Sequence, residues 1–388
     1  MFEGRSAVER TEATVKLCNL IKEGTIPLSK ISLLDLVESI MGPEDCARMR
    51  ALSEDGDVYA GLQESVDPVN LKAFTHITGN VLTKGIVEGF KSVEFIGDSL
   101  VTSETDTIDE YTMTGLTPIE DDAMEVKEGD EYKTVKFGED WQTLPASIKR
   151  GMRCAITREM IFFDRTSKAI EMANGVGYRL GLNKEKRILN EVLGVTNTYN
   201  RKGVARDTYA STAGDPRINK LTGNELLDYS QIEAVEQAIE AYNDDKTSGE
   251  PIQVNYDTML VTGFKISTAR RLMGAREVQH QSTDAVNGQT MQTYGPNPIG
   301  QNVKVITSPW IRRLLVAGGA SDANAKKMWY LGAPKKAFRY TTLFPLQVRS
   351  MGRDSEDDFK RDVVVQYRAD ERGKVWTKSP WHMVKSEG

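Results

Sequence analysis

The side chains best suited to catalysis or metal binding are few in this sequence and lie far apart. The three histidines, His76, His280 and His382, have no second ligand at the spacing that metal sites use. Asp121 and Asp122 are an adjacent carboxylate pair that could bind a metal, but they lie in an acidic run, where exposure to solvent or to a partner is the usual role. The sequence therefore predicts no catalytic residue, no metal site and no cofactor.

One glycine-rich motif, GVGYRLG at 175–181, resembles a dinucleotide-binding loop. Three residues rather than two separate its last glycines, and no buried strand leads into it. The sequence has no P-loop and no Gly-x-Ser-x-Gly motif, and Cys154 lacks the flanking features of a nucleophile. The motif instead indicates a helix that packs closely against another element, and nothing in the sequence supports an enzyme.

Charge is segregated along the chain, although the net charge of the 388 residues is only −6. Twelve acidic residues and one basic residue lie between Asp98 and Glu131, whereas residues 149–187 carry ten basic and four acidic residues. A second basic stretch, 304–349, has nine Lys and Arg against one Asp. A general basic surface for binding DNA is excluded, because counterion release needs clustered cations across the protein.

The acidic stretch 98–131 contains Thr, Gly and Pro, which favour an extended ribbon over a helix. Such a ribbon cannot bury its own backbone within one subunit, and an open strand edge promotes association. We expect it to lie across a basic face of a neighbouring copy, with a solvated charged flap as the alternative. The candidate contacts between subunits are Asp121, Asp122, Glu125, Trp141, Arg150, Arg153, Arg179 and Arg187.

The elements that would position these residues follow from the periodicity of apolar residues. Helices are predicted over Glu9–Lys22, Ser32–Met41, 67–90, 164–193, Gln231–Tyr242 and Ser267–Met273. Strands or extended segments are predicted over 132–137, Ile148–Thr157, Tyr256–Val261, Val303–Ile306, Met328–Leu331 and Phe359–Arg368, with a long loop over 195–225. The alternation after residue 230 indicates a compact α/β unit.

Composition is that of a globular protein, with 39% hydrophobic residues, 32 glycines and three widely spaced cysteines. No apolar run reaches the roughly 18 residues of a membrane span, and the N-terminus does not look like a secretory signal. We expect synthesis in the cytoplasm, reduced thiols and no membrane partner.

Two segments and the order of the parts resemble the major capsid proteins of tailed double-stranded DNA bacteriophages, the Hong Kong 97-type fold. The segments are YRLGLNKEKRILN at 178–190 and FKRDVVVQYRADER at 359–372. The resemblance implies an α+β fold with an N-terminal arm, an extended β loop, a peripheral domain with a long helix and an axial α/β domain. The implied boundaries are 1–75 for the arm, 76–106 for the start of the peripheral domain, 107–157 for the extended loop, 158–200 for the long helix, 201–345 for the axial domain and 346–388 for the return to the peripheral domain.

The resemblance further implies a head protein of the virion that forms hexamers and pentamers in an icosahedral shell. Its partners would be its own copies, a portal protein, decoration or cement proteins, and packaged double-stranded DNA bound without sequence specificity. Two alternatives stay open at this point: an encapsulin-type compartment shell, and a nucleotide-dependent enzyme built on residues 195–345.

Overall fold

The computed structural model describes residues 16, 19, 20, 81–91, 95–109, 111–118, 128, 137–157, 168–211, 218–242, 253–275, 277–283, 290–297, 303–351 and 363–388. The predicted helix Ser32–Met41 and almost all of Glu9–Lys22 lie outside these residues. The chain divides into two compact units. Unit 1 comprises Met1–Phe95, Ile148–Lys184 and Phe344–Arg372, and unit 2 comprises Ile96–Ser147, Glu185–Leu343 and Gly373–Gly388.

Two helices contribute buried apolar side chains to unit 1. Helix α1 covers residues 81–90, which agrees with the end of the helix predicted over 67–90. Helix α3, Lys168–Val192, agrees with the long helix predicted over 164–193 and continues into unit 2. Each helix buries apolar side chains, which include Leu82 and Ile86 of α1 and Leu180 of α3.

The glycines of the 175–181 motif explain how closely α1 and α3 approach each other. A Cβ atom added at Gly177 would lie 2.0 Å from the carbonyl oxygen of Ile86, and one at Gly181 would lie 2.6 Å from that of Phe90. Among the described residues, a Cβ atom added at Gly175 would meet nothing within 4 Å apart from the adjacent backbone of its own helix. Gly177 and Gly181 are one helical turn apart and share a face, so the motif serves helix packing, as the sequence predicts.

Strand β4, Ile148–Thr157, confirms the predicted extended run and belongs to unit 1. It pairs with β14, Val363–Thr377, which in turn pairs with β13, Phe338–Met351. Strand β14 extends the predicted strand Phe359–Arg368 to Thr377. Strand β13 was not predicted, and with β14 it carries the chain from unit 2 into unit 1 and back.

A five-stranded sheet lies at the centre of unit 2, in the order β11–β8–β12–β15–β7. The strands are β7 (Lys220–Thr222), β8 (Thr258–Val261), β11 (Lys304–Thr307), β12 (Trp329–Gly332) and β15 (Met383–Glu387). Strand β8 pairs in parallel with β11 and antiparallel with β12. The predictions for β8, β11 and β12 are confirmed within two residues at each end.

Both faces of this sheet are covered, which explains why its middle strands are continuous apolar runs rather than alternating ones. Met259 and Trp329 pack on one face with helices α4 (Ser230–Glu240) and α5 (Ile266–Gly274). Leu260 and Tyr330 face the opposite way, as the two-residue period of a strand requires. There they pack against the end of α3 and against helices α6 (Pro309–Ala317) and α7 (Asp322–Lys327).

The remaining elements of unit 2 are short. They are α2 (Gly97–Leu100), β1 (Thr102–Thr105), β2 (Thr112–Pro118), β3 (Phe137–Thr143), β5 (Asn200–Arg201), β6 (Val204–Ala205), β9 (Glu277–Thr283), β10 (Thr290–Pro296) and α8 (Pro334–Ala337). Strand β1 pairs in parallel with the start of β13, and β9 and β10 form a hairpin that was not predicted. Strands β5, β6 and β7 lie in the segment predicted as a long loop. The mixture of helices and sheets confirms the predicted α+β class.

Candidate assembly surfaces

The segment predicted as an extended loop, 107–157, contains a regular antiparallel strand pair, which we call the hairpin. Strands β2 and β3 pair antiparallel without a bulge, from Thr112 opposite Thr143 to Pro118 opposite Phe137. The acidic candidates Asp121, Asp122 and Glu125 follow β2 in sequence and lie outside the described residues. The hairpin therefore fixes the path of the chain into and out of the acidic stretch.

A cluster of hydrogen bonds holds the base of this hairpin. We call the cluster, formed by Asp109, Tyr111, Leu144, Ser147 and Lys374, the hairpin root. The Leu144 N–H donates to the Tyr111 carbonyl at 3.1 Å, and the Ser147 N–H donates to Asp109 Oδ1 at 2.8 Å. Lys374 Nζ donates to the Asp109 carbonyl and lies 5.3 Å from the centre of the Tyr111 ring. Because Lys374 is only 4% exposed, a buried cation holds the base of the hairpin.

The hairpin is also joined sideways to the rest of unit 2. Gln142 of β3 lies opposite Arg201 of β5, and the Lys202 N–H donates to the Trp141 carbonyl at 2.9 Å. The Gln142 side-chain amide donates to the Thr377 carbonyl at 2.5 Å. A four-stranded sheet, β2–β3–β5–β6, results.

A cleft of about 180 Å³ opens beside the hairpin, and we call it the Trp141 pocket. Seven of the described residues that line it are aromatic, basic or hydroxyl-bearing: Thr114, Trp141, Tyr199, Arg201, Lys378, Ser379 and Trp381. Trp141 is 38% exposed. Trp141 was predicted as a contact residue, whereas Tyr199, Arg201, Lys378 and Trp381 were not.

A buried carboxylate fixes the segment that leads from α3 to the pocket. Glu191 is fully buried and accepts hydrogen bonds from the hydroxyls of Thr196 at 2.9 Å, Thr377 at 2.5 Å and Thr198. The Thr198 N–H donates to the same carboxylate at 3.3 Å. Burial raises the pKa of Glu191, and these hydrogen bonds act in the opposite direction.

Three predicted contact residues, Arg150, Arg153 and Arg179, lie in unit 1. Arg150 and Arg153 stand on opposite faces of β4, since three positions separate them. Arg153 Nη1 donates to Gln366 Oε1 at 3.2 Å, and Arg150 Nη1 donates to the Ile148 carbonyl at 3.5 Å. Arg179 is exposed on α3. The structure therefore places basic side chains on both a strand and a helix of this unit.

Arg187 lies at the start of the part of α3 that belongs to unit 2, and its contacts are internal. Its Nη1 donates to the Gly373 carbonyl at 3.2 Å, and its guanidinium lies 6.0 Å from the centre of the Tyr340 ring. A role for Arg187 between subunits stays a prediction.

A second exposed cluster of unit 2 surrounds Phe264, whose side chain is 62% exposed. The Arg312 guanidinium and the Lys326 ammonium lie 5.7 and 5.2 Å from the centre of its ring. Asp322 pairs with both cations, which hold the pKa of its carboxyl below the ordinary value. Such aromatic and cationic surfaces are typical of interfaces.

No group of three or more His, Cys, Asp or Glu side chains among the described residues is arranged to hold a metal ion. Cys154 is buried, and burial raises the pKa of its thiol, which disfavours the nucleophilic thiolate. None of the described helices combines the length and apolar character that crossing a membrane requires.

Comparison with known proteins identifies the family. No curated protein matches the sequence. The structure is similar to the capsid asymmetric unit of cyanophage Pam1, with a TM-score of 0.44 and 13% identity over 74% of this chain and 87% of that one. It is also similar to the mature capsid of bacteriophage PhiM1 (TM-score 0.45, 10% identity, 76% and 87% of the two chains) and to the capsid of a native GTA particle (0.46, 10%, 76% and 90%).

The sequence itself matches a family model described as phage capsid protein over residues 139–386. The match begins in β3 and ends in β15, so it includes the long helix, the five-stranded sheet and the last three strands. It confirms the predicted family and favours a phage shell over the compartment shell. Because the model covers well over half of the sequence, the chain belongs to the phage capsid protein family.

Proposed function

We propose that this chain is a major capsid protein whose copies assemble as hexamers and pentamers into an icosahedral shell around double-stranded DNA. The family match over residues 139–386 carries this proposal. Membership of the family indicates a structural component of the virion rather than an enzyme. Portal and decoration proteins would be its further partners.

The geometry of the hairpin supports the proposal. Its root is held by Lys374 and by the sideways pairing with β5, so its base is well defined. The acidic residues that follow β2 in sequence repel one another, and nearby cations would relieve this repulsion. A neighbouring subunit would supply these cations.

We propose that the acidic residues Asp121, Asp122 and Glu125 contact basic side chains of a neighbouring copy. Arg150, Arg153 and Arg179 are candidates for the basic partners, with Trp141 and Arg187 in further contacts. The arm, extended loop, long helix and axial domain would have the boundaries expected from the sequence. The net charge of −6 favours weak, nonspecific contact with the packaged DNA.

Electron microscopy and light scattering of the purified protein test this function. We expect capsomers or closed shells, whereas a small oligomer of uniform size would contradict the proposal. A salt titration of assembly adds a test of the charged contacts, because exposed ion pairs are screened at high ionic strength. Assembly that is indifferent to salt would rule out the acidic and basic contacts but not the shell.

A further inference from the structure

Positive charge is concentrated on one side of the five-stranded sheet of unit 2. Helices α6 and α7, which cover that side, carry two arginines and two lysines but only one carboxylate, Asp322. On the other side, α4 carries three glutamates and neither Lys nor Arg, while α5 adds Arg270 and Arg271. The helices on the two sides of the sheet therefore differ in the sign of their net charge.

Two cations on the side of α6 and α7 lie over the ring of Trp310. The Lys186 ammonium, near the end of α3, lies 4.4 Å from the ring centre, and the Arg313 guanidinium lies 5.5 Å from it. Among the described residues, neither cation is paired with a carboxylate. Trp310 packs in part against the core, so it holds both cations in place. An aromatic ring attracts a cation without neutralising its charge, so both charges can act on an external anion.

The charged cluster around Phe264 continues this surface beyond α6. Arg312 and Lys326 lie near the Phe264 ring and share one carboxylate, that of Asp322. In a similar group next to α7, two lysines share one glutamate: Lys265, Lys327 and Glu225. Since each group has two cations and one carboxylate, each keeps a net positive charge. We use the name α6–α7 surface for Lys186, Arg312, Arg313, Lys326 and Lys327 together with the Trp310 and Phe264 rings.

The distribution of these cations fits an extended polyanion. They lie on three helices, α3, α6 and α7, whereas a site for one small anion would bring its donors together at one point. Double-stranded DNA carries one negative charge per about 1.7 Å of its axis, so cations on separate elements can each meet a phosphate. Lys and Arg contact phosphates without reading the sequence. The glutamates of α4 and the net charge of −6 repel DNA elsewhere, so the contact stays local and weak.

We propose that the α6–α7 surface contacts the phosphates of the double-stranded DNA that the shell encloses. This inference rests on the proposed function, because only a shell around DNA brings the two together. It places α6 and α7 on the interior side of the shell and assigns the nonspecific contact with DNA to named residues. Lys186 and Arg313 contribute most to the contact, since no carboxylate of the described residues offsets their charge.

The anisotropy of a short fluorescent DNA duplex, titrated with purified capsomers at several salt concentrations, tests the inference. Lys186→Gln combined with Arg313→Gln removes two phosphate contacts, so the slope of log K against log salt should decrease in magnitude by about 2. Arg270→Gln combined with Arg271→Gln makes the same change in net charge on the other side of the sheet and should leave the slope unchanged. Equal decreases in the two double variants, or no binding by the wild type, would overturn the proposal.

Conservative exchanges separate the charge of these residues from their packing on Trp310. Lys186→Arg combined with Arg313→Lys keeps both charges, and we expect it to bind the duplex with the wild-type salt slope. A slope as small as that of the glutamine variant would overturn the proposal, because packing rather than charge would then determine binding. Electron microscopy tests the proposed function separately. Shells of a wild type that does not bind DNA would contradict only this inference, whereas a wild type without capsomers or shells would contradict the proposed function.

Thiol labelling identifies the side of the sheet that DNA covers. Val316→Cys places a thiol on α6, one helical turn after its two arginines, where Val316 is 39% exposed, and Glu240→Cys places one at an exposed position of α4. Saturating duplex should slow the reaction of Val316→Cys with a maleimide severalfold and leave that of Glu240→Cys unchanged. The wild type, with Cys18, Cys46 and Cys154, provides the background. Equal protection of both thiols would overturn the proposal, and polyglutamate that protects Val316→Cys better than the duplex would overturn it in favour of an acidic protein partner.

Discussion

The contact between α1 and α3 predicts opposite effects for two alanine substitutions that lie two residues apart. Gly177→Ala places a Cβ 2.0 Å from the Ile86 carbonyl oxygen and 2.8 Å from its carbonyl carbon. Gly175→Ala places a Cβ that meets no described atom within 4 Å apart from the adjacent backbone of its own helix. Both substitutions add the same methyl group to the same helix, so Gly175→Ala is a matched control.

The magnitudes follow from two terms. Alanine is favoured over glycine in a helix interior by about 1 kcal/mol, and this gain applies at both positions. At Gly177 the added atom must gain about 1.4 Å to reach the 3.4 Å of ordinary contact, and the obstacle is backbone, which cannot rotate away. Overpacking costs about 1–3 kcal/mol, and we expect the upper end here. Gly175→Ala should therefore stabilise by about 1 kcal/mol, and Gly177→Ala should destabilise by about 2 kcal/mol.

Urea unfolding of unassembled subunits, followed by circular dichroism, measures the difference between the two variants. We expect a separation of about 3 kcal/mol in the free energy of unfolding, with the wild type between them. Equal stabilisation by both substitutions would refute the close approach of α1 and α3. A loss of stability at Gly175 would refute the view that this glycine has no packing role.

Two further predictions concern buried charged groups of unit 2. Burial raises the pKa of Glu191, so its contribution to stability falls as the pH rises through the raised value. Glu191→Gln should remove that part of the pH dependence of stability. If the urea midpoints of the wild type and of Glu191→Gln change in parallel between about pH 4 and 8, the raised pKa is contradicted. Lys374→Met removes the donor to Asp109 and the cation near Tyr111, so amide hydrogen exchange should accelerate in β2 and β3 while β12 stays protected. Lys335→Met, at an exposed lysine, is the control, and unchanged exchange in β2 and β3 of Lys374→Met would show that Lys374 does not hold the hairpin.

Elements with a strong apolar pattern could be predicted from the sequence. The face of α3 formed by Ala173 and Leu180 has helical spacing, and both residues are buried. The middle strands β8 and β12 are short, continuous apolar runs, because helices cover both faces of their sheet. In these cases the local pattern and the tertiary environment agree.

Strand β13 shows why other elements were missed. Its residues Phe338–Met351 lie in a basic stretch that we interpreted through its charge, and Pro345 interrupts its apolar pattern. Its partner β1 lies more than 200 residues earlier, with Thr102 opposite Arg339. Pairing across such a distance leaves no local signal in either segment.

The Trp141 pocket could be predicted only in part for the same reason. Its walls come from β2 and β3, from the segment around Tyr199 and Arg201, and from Lys378 and Trp381 near the last strand. The sequence does contain a signal: Tyr199 lies close to Arg201, and Lys378 lies close to Trp381. Only the fold shows that these segments meet.

The segments of the two units alternate along the chain, and this order determines when each unit can fold during synthesis. Unit 1 needs its segment Phe344–Arg372, and the sheet of unit 2 needs β15, which lies between β12 and β7. Neither unit can close its core until nearly all of the chain has been synthesised, and contacts so distant in sequence form slowly. We expect nascent chains to lack a finished association surface, so that assembly begins only with released, fully folded subunits.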